Sequence, residues 1–326
     1  VIHGGPGSGK SVLARSIALQ HLQRGGSLLY LDLEGRPALQ EALPNVSLST
    51  DSVDGAFSVL PPRALLQRLA PSANQTTAGS HAIDAVLPVF SLTIDIVQAR
   101  NGIIHVSEIC ELLQDPQRLE EGIPDLAYKD REIHAHAVDC FRDSETKELC
   151  LDRYHQVVDP FVHRLQDLLG NHYDDISGNY ASWQNLVSVV LERRSCEASV
   201  QDSWAPKRQS FLLSTFFHQL SANLLERVHV DTSGLPYLIV VDAYRCDLVE
   251  ESVLRDLQRI GQKHGIALFL SGFAAPSMAI LENSTNIISL RHNYPLEICS
   301  NISQPLSPRE AILSQRGHDA VQFWLQ

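Results

Sequence analysis

Residues 1–11 read VIHGGPGSGKS, and this stretch decides how the rest of the chain is interpreted. It matches the phosphate-binding pattern G-x-x-x-x-G-K-[ST], which connects a buried strand to the start of a helix. The apolar lead-in predicts the strand, and residues 12–19, VLARSIAL, carry apolar side chains at helical spacing. Glycines let backbone amides approach an anion closely, and the N-terminus of a helix favours negative charge. The stretch therefore predicts a phosphate loop, residues 4–11, that binds a nucleotide polyphosphate.

The phosphate loop also suggests individual roles. We expect Lys10 to contact the β- and γ-phosphates of ATP and the Ser11 hydroxyl to ligate Mg²⁺. The predicted phosphate-binding residues are Gly5, Pro6, Gly7, Ser8, Gly9, Lys10, Ser11 and Val12. Because three residues precede Gly4, we expect the first strand to continue upstream in a longer polypeptide.

The composition is that of a globular protein with a large core: of 326 residues, 44% are apolar and 20% are charged. A formal net charge of −12 argues against a surface that coats nucleic acid non-specifically, but it leaves room for a local basic path. Six scattered cysteines form no C-x-x-C pair, which favours reduced thiols in a cytosolic compartment over a zinc site or disulfides. His134 and His136 have a spacing that points their side chains to different sides of a helix, which disfavours a metal site.

Hydrophobic patterning predicts an α/β fold, with a parallel sheet flanked by helices and interrupted by a large, mostly helical insertion. Residues 27–33, SLLYLDL, and 235–242, LPYLIVVD, are apolar runs typical of buried parallel strands. Between residues 63 and 230, apolar residues recur at helical spacing without a convincing alternating strand. Further predicted elements are helices at 249–263, 276–282 and 305–326 and strands at 266–271 and 286–290. The predicted organisation is a first core part at 1–62, the insertion at 63–230, a second core part at 231–292, and a linker and helix at 293–326.

A second nucleotide-binding element is Asp242, the acid that ends the apolar run at 238–242. An acid in this position holds the Mg²⁺ shell in P-loop proteins. Hydrolysis usually needs another carboxylate to orient water, commonly in the next residue, but that residue is Ala243. Glu34, Glu250 and Glu251 are alternative carboxylates, although solvated surface acids are the simpler interpretation. Nucleotide binding is therefore better supported than turnover.

Together these features resemble the conjugation-type secretion ATPases, the traffic and coupling motors of type IV secretion systems. The resemblance implies a RecA-like P-loop fold of the translocase class. It rests on the phosphate loop with residues 11–13, SVL, on 24–35, RGGSLLYLDLEG, on the long helical insertion, on 238–242, LIVVD, and on 280–290, ILENSTNIISL. It covers about residues 1–60 and 235–292, whereas the middle matches only in being long and helical.

The resemblance implies a hexameric ring that binds ATP and Mg²⁺ between subunits. Lys10 and Asp242 would then be catalytic, Ser11 and Asp242 would hold the metal, and an arginine of the neighbouring subunit would complete the site. Candidate arginines are Arg245, Arg255, Arg259 and Arg291. The implied role is transfer of DNA or protein, together with other secretion-apparatus subunits, in the cytoplasm or on the cytoplasmic face of the bacterial inner membrane.

Two positions depart from the family pattern. The family usually has Asp-Glu where this chain has Asp242-Ala243, and a Thr-Gln pair where this chain has Ser271-Gly272. The resemblance therefore leaves open whether the chain is an active ATPase motor or an ATP-binding, hydrolysis-deficient assembly or regulatory subunit. The long separation between the phosphate loop and Asp242 disfavours a kinase built on the same loop.

Overall fold

The computed structural model describes residues 1–3, 8–34, 39, 42–48, 57, 60–69, 77–102, 104–169, 181–200, 206–227, 234–245, 249, 251–272, 286–290, 310–315 and 321–324. The chain divides into two compact units. One, the sheet unit, consists of Val1–Ser49 and Ala181–Gln326, and the other, the helical unit, is Thr50–Tyr180.

The sheet unit contains nine described strands. They are β1 (Ile2–His3), β2 (Leu28–Asp32), β3 (Asn45–Leu48), β4 (Cys196–Val200), β5 (Tyr237–Tyr244), β6 (Ile266–Gly272), β7 (Asn286–Leu290), β8 (Glu310–Gln315) and β9 (Val321–Trp324). Their order across the sheet is β3-β4-β2-β5-β6-β1-β7-β8-β9. The first seven in that order run parallel, and β8 and β9 continue the sheet antiparallel.

Four described helices belong to the sheet unit: α1 (Lys10–Gln23), α8 (Ala181–Leu191), α9 (Pro206–Glu226) and α10 (Glu251–Lys263). Helix α1 buries the small residues Ala14 and Ala18 in a cluster with Tyr30 and Val240. All five residues of β2 are buried. Small side chains on the helix and large ones on the strands let α1 lie close to the sheet, which fixes where its N-terminus points.

The helical unit contains six described α-helices: α2 (Pro62–Leu69), α3 (Thr77–Asn101), α4 (Val106–Gln114), α5 (Pro116–Gly122), α6 (Tyr128–His134) and α7 (Leu151–Leu169). Helix α3 is central, because it contacts α2, α4, α5 and α7. Among the described residues, one segment, 82–101 of α3, is long and apolar enough to span a membrane, and half of it is buried in the unit. A core helix of a bundle meets the same criterion.

The α/β fold with a parallel, helix-flanked sheet is confirmed, and so are the strands expected near 27–33, 235–242, 266–271 and 286–290. The helix expected at 249–263 is also present as α10, but the one at 276–282 lies outside the described residues.

Residues 63–230 are mostly helical, as expected, but they contain a strand that the sequence pattern did not reveal, because β4 lies between β2 and β3 in the sheet. Its sequence CEASV lacks a long apolar run, yet Cys196, Glu197, Ala198 and Ser199 are all buried. Glu197 is tolerated there because both of its carboxylate oxygens accept a hydrogen bond from the backbone N–H of Leu39, at 3.1 Å each. The compact-unit division accordingly places β4, α8 and α9 with the sheet.

The helix expected at 305–326 is wrong. Residues 310–315 and 321–324 form β8 and β9, which pair with each other and extend the sheet from β7. The short segments AILSQ and VQFW contain β-branched and aromatic residues suited to a sheet. Pairing of β8 with β7 and of β9 with β8 outweighs their helical spacing.

Candidate functional site

The strand order brings the predicted site residues to one edge of the sheet. Strand β1 leads towards the phosphate loop, and β6 separates it from β5. The register places Ile2 opposite Ser271, and Asp32 opposite Asp242. Because parallel strands end on the same side, the ends of β1, β2, β5 and β6 lie together, and we call this side the carboxyl edge. In open α/β sheets, ligands bind outside this edge where the strand order changes direction.

The described part of the phosphate loop opens directly into α1. Gly9 has φ 85°, in the left-handed region that glycine adopts without strain, and Lys10 is the first helical residue. The Lys10 Nζ lies 3.4 Å from Ser8 Oγ, to which it donates a hydrogen bond, and the lysine is buried. Burial lowers the pKa of Lys10, and the charges of Asp242 and Glu34 oppose that shift. Val12 is exposed, whereas Gly5, Pro6 and Gly7 lie outside the described residues.

The central contact of the site joins α1 to β5. Ser11 Oγ donates a hydrogen bond of 3.1 Å to Asp242 Oδ1, although the two residues are 231 positions apart. Asp242 is 2% exposed, and the backbone N–H of Ala243 donates to the same Oδ1 at 3.0 Å. A hydroxyl and a carboxylate at one point are the oxygen donors that Mg²⁺ accepts, usually with several waters retained. The pair therefore suits a magnesium site next to the N-terminus of α1.

Sequence reasoning missed Tyr30, which orients Asp242 from the neighbouring strand. Its hydroxyl donates a 2.9 Å hydrogen bond to Asp242 Oδ2, and its side chain is fully buried. Burial raises the pKa of Tyr30, and the charge of Asp242 adds to the rise, so the phenol stays protonated and remains a donor. The available signal was a tyrosine inside an apolar strand, because a buried phenol needs a polar partner.

The two positions that depart from the family pattern are coupled by one backbone irregularity. Ala243 has φ 58°, and the β5–β6 register shifts between Val241 and Tyr244. This bulge brings the Tyr244 carbonyl so close to Gly272 that a Cβ on Gly272 would lie 2.2 Å from the oxygen. Position 272 is therefore restricted to glycine by the conformation at 243. The bulge thus accounts for the missing side chain at position 272, whereas nothing in the structure explains the alanine at position 243.

Two polar residues remain near these positions. Glu34 follows β2, and its backbone N–H donates to Asp32 Oδ1 at 2.9 Å. Ser271 ends in a fully buried hydroxyl that has no hydrogen-bond partner in the described part of the chain. Both residues lie at the carboxyl edge, one on each side of β5 in the strand order.

No protein-family model matches the sequence, and no curated protein matches it. Solved structures do match over the whole chain. The bacterial conjugative coupling protein TrwBdeltaN70 has a TM-score of 0.65 at 12% identity, with 100% of this chain and 83% of that chain covered. TrwB in complex with ADP and Mg²⁺ has a TM-score of 0.65 at 12% identity, with coverages of 100% and 84%. VirB4 of Thermoanaerobacter pseudethanolicus has a TM-score of 0.55 at 16% identity, with coverages of 100% and 88%.

This chain has the fold of the conjugative coupling protein TrwB and of VirB4. Because identity is 12–16%, the similarity is one of fold alone, and it agrees with the α/β class predicted from the sequence. In this fold the Ser11–Asp242 contact lies where the phosphate loop and the strand-end acid meet.

The remaining candidates lie in different places. Among the arginines, Arg245 directly follows β5, Arg255 and Arg259 are exposed on α10, and Arg291 lies outside the described residues. Glu251 is the first residue of α10, and Glu250 lies outside the described residues. In the helical unit, His134 Nε2 lies 2.7 Å from Asp95 Oδ2, and His136 Nδ1 lies 2.6 Å from Asp139 Oδ2. Over the described ranges, no group of three or more potential metal-ligating side chains occurs.

Proposed function

We propose that this chain binds Mg·ATP at the carboxyl edge and serves as the motor subunit of a conjugative or type IV secretion apparatus. The observation that carries the proposal is the Ser11–Asp242 hydrogen bond of 3.1 Å, which joins a phosphate-loop hydroxyl to a strand-end acid. The fold adds support, because TrwB with this fold has been obtained with ADP and Mg²⁺ and with analogues of GTP and ATP.

Each residue has a defined task in this proposal. The backbone N–H groups at the start of α1, among them those of Lys10 and Ser11, would face the phosphates, and the Lys10 ammonium would neutralise the terminal ones. Ser11 and Asp242 hold Mg²⁺, which supplies charge neutralisation on the phosphate oxygens when bound. Tyr30 keeps Asp242 in place by occupying its second oxygen. The lowered pKa of Lys10 is compatible with this task, since an approaching polyanion would stabilise the charged form.

The proposed assembly is the one that the resemblance to secretion motors implies. We propose that copies of the chain form a six-membered ring and that an arginine of the neighbouring subunit reaches the nucleotide. Arg245, Arg255 and Arg259 are candidates because their side chains are exposed. The ring would work with other secretion-apparatus subunits, in the cytoplasm or at the cytoplasmic face of the inner membrane, on a DNA or protein cargo.

A second function is favoured by Ala243 and Gly272. A methyl group cannot orient water, and glycine provides no side chain to sense the γ-phosphate. A chain with both residues could hold ATP without efficient turnover and act as an assembly or regulatory subunit of the same machinery. The intact Lys10–Ser11 pair is compatible with both functions.

Calorimetric titration with Mg·ATP tests the shared part of these proposals. We expect the wild-type chain to bind and Lys10→Ala to lose at least tenfold in affinity, because a buried ammonium next to the phosphates is removed. The exposed Lys263 of α10 provides the matched control, and Lys263→Ala should bind like wild type. Equal affinity of the wild type and Lys10→Ala would contradict the site.

Phosphate release separates the two functions. A motor subunit should release phosphate above the Lys10→Ala background, whereas a binding subunit should not. Ala243→Glu restores a carboxylate after Asp242, so an increase in release in that variant would support the binding-subunit alternative.

A further inference from the structure

Hydrolysis at this site needs a carboxylate that position 243 does not provide. A base positioned to accept a proton from the attacking water typically accounts for about 10²–10⁴-fold of rate. The Ala243 side chain is a methyl group, and its φ of 58° belongs to a bulge that also constrains Gly272. The neighbouring strand therefore becomes the place to search for the missing group.

Glu34 follows strand β2 at the carboxyl edge of the sheet. Asp32 is paired in register with Asp242, and the backbone N–H of Leu33 still donates to the Asp242 carbonyl at 3.4 Å. Glu34 is the next residue, so it leaves the sheet beside the acid that would hold Mg²⁺. It is half-buried, which limits the freedom of its side chain without removing it from solvent.

The backbone at Glu34 is restrained by the residue two positions before it. Its N–H donates to the buried Asp32 carboxylate at 2.9 Å. A carboxylate on a restrained backbone returns to the same position, as a catalytic group must.

The end of β2 lies next to the strand whose acid contacts the phosphate-loop helix. Asp32 is opposite Asp242 in the register, and Ser11 at the start of α1 donates to Asp242 at 3.1 Å. Lys10, the residue that contacts the β- and γ-phosphates in a phosphate loop, directly precedes Ser11. A nucleotide bound at Lys10 and Ser11 would therefore lie at the edge of the sheet where β2 ends and Glu34 follows.

We propose that the Glu34 carboxylate is the catalytic base for ATP hydrolysis and replaces the carboxylate that position 243 lacks. The inference rests on the proposed nucleotide site. Glu34 accepts a proton from water as the water oxygen forms a bond to the γ-phosphorus. The bond from that phosphorus to the β–γ bridging oxygen breaks, and the bridging oxygen leaves with the electron pair on ADP. Inorganic phosphate and ADP are the products, and Glu34 returns its proton to solvent.

Glu34→Gln tests the inference because it keeps the shape of the side chain and removes the basic oxygen. We expect steady-state phosphate release at least 100-fold below wild type, close to the Lys10→Ala background. ATP affinity should be unchanged or higher, because a negative charge near the phosphates has been removed. Glu226→Gln, at the exposed end of α9, removes the same charge and should release phosphate like wild type.

Glu34→Asp is the second variant, since it keeps the charge and withdraws the carboxylate by one methylene. We expect at least a tenfold fall in release with wild-type ATP affinity. Wild-type rates in either Glu34 variant would overturn the inference, and so would wild-type release no higher than that of Lys10→Ala. In those cases Mg·ATP binding would still support the nucleotide site, whereas loss of binding in the wild type would remove the proposed function itself.

Discussion

At the scale of single residues, the site depends on how the Asp242 carboxylate is held. One oxygen accepts from the Ser11 hydroxyl and the Ala243 N–H, and the other accepts from Tyr30. Burying a carboxylate is unfavourable unless it receives several hydrogen bonds, and each donor also restricts its rotation. Asp242 is thus both a buried charge that needs its donors and the group whose direction determines where Mg²⁺ would bind.

Tyr30→Phe should separate these two aspects. The variant leaves the ring in place and removes the donor to Asp242 Oδ2, so we expect a loss of about 2 kcal/mol in the free energy of unfolding. Without that donor the rotation of the Asp242 carboxylate is less restricted, and the Mg²⁺ concentration that half-saturates ATP binding should rise several-fold. Urea unfolding and calorimetry over a Mg²⁺ series measure the two effects.

Tyr154→Phe provides the matched control for Tyr30→Phe. Tyr154 is also fully buried, and its hydroxyl donates to the Leu113 carbonyl at 2.9 Å within the helical unit. We expect this variant to lose about 1 kcal/mol of stability, as for a neutral hydrogen bond, with no change in Mg²⁺ dependence. An equal effect of the two variants on Mg²⁺ dependence would show that Tyr30 acts only through stability.

At the scale of elements, the end of β5 and the end of β6 constrain each other. The β5 bulge places the Tyr244 carbonyl where a side chain at 272 would be, so β6 can finish in register with β5 only if residue 272 is glycine. Gly272→Ala would place its Cβ 2.2 Å from that oxygen, far inside van der Waals contact. Because the obstacle is backbone, the strand ends themselves would have to move.

We therefore expect Gly272→Ala to lower the free energy of unfolding by at least about 2 kcal/mol. It should also weaken Mg·ATP binding, since the displaced strand end carries Asp242. Gly234→Ala is the control, because a Cβ at that exposed position meets no atom within 4 Å, and its stability should change by about 0.5 kcal/mol or less. Unfolding curves that coincide for the two variants would contradict the constraint.

The elements also show what the sequence could predict. The apolar runs of β2 and β5 are buried on both faces, so composition revealed them, and the glycine–lysine pattern placed α1. Strand β4 was missed because Glu197 is buried by pairing with a backbone amide from a distant segment, which no local pattern encodes. Strands β8 and β9 were mistaken for a helix because their stability comes from strand pairing, of β8 with β7 and of β9 with β8.

The candidate site could be predicted less completely than the fold. Motif spacing suggested Ser11 and Asp242, and the structure brings them within hydrogen-bond distance. Tyr30 and the constraint on Gly272 arise from register between strands, which depends on the assembled sheet. Departures from a family pattern were visible in the sequence, but the bulge at Ala243 that restricts position 272 to glycine was not.

At the scale of the whole molecule, the helical unit is inserted in the sequence between the two parts of the sheet unit. The sheet unit is built from the two ends of the sequence, and the site residues meet only because β1 and β2 pair with strands from the second part. The helical unit, Thr50–Tyr180, lies between them in sequence and has its own core around α3. A division at residue 180 differs from the predicted end of the insertion at residue 230, and the difference concerns α8, β4 and α9.

This division predicts that residues 50–180 fold when produced without the rest of the chain. A segment of roughly 130 residues is long enough for an independent core, and buried side chains of α3, α4 and α7, such as Phe90, Ile109 and Leu165, provide one. We expect a strongly helical far-UV circular dichroism spectrum and a cooperative thermal transition. A fragment of residues 181–230 is the control: β4 would lack both of its neighbours, β2 and β3, so cooperative unfolding should be absent. If 50–180 unfolds without cooperativity and 63–230 unfolds cooperatively, the boundary drawn from the sequence describes the autonomous unit better than the one drawn from the contacts.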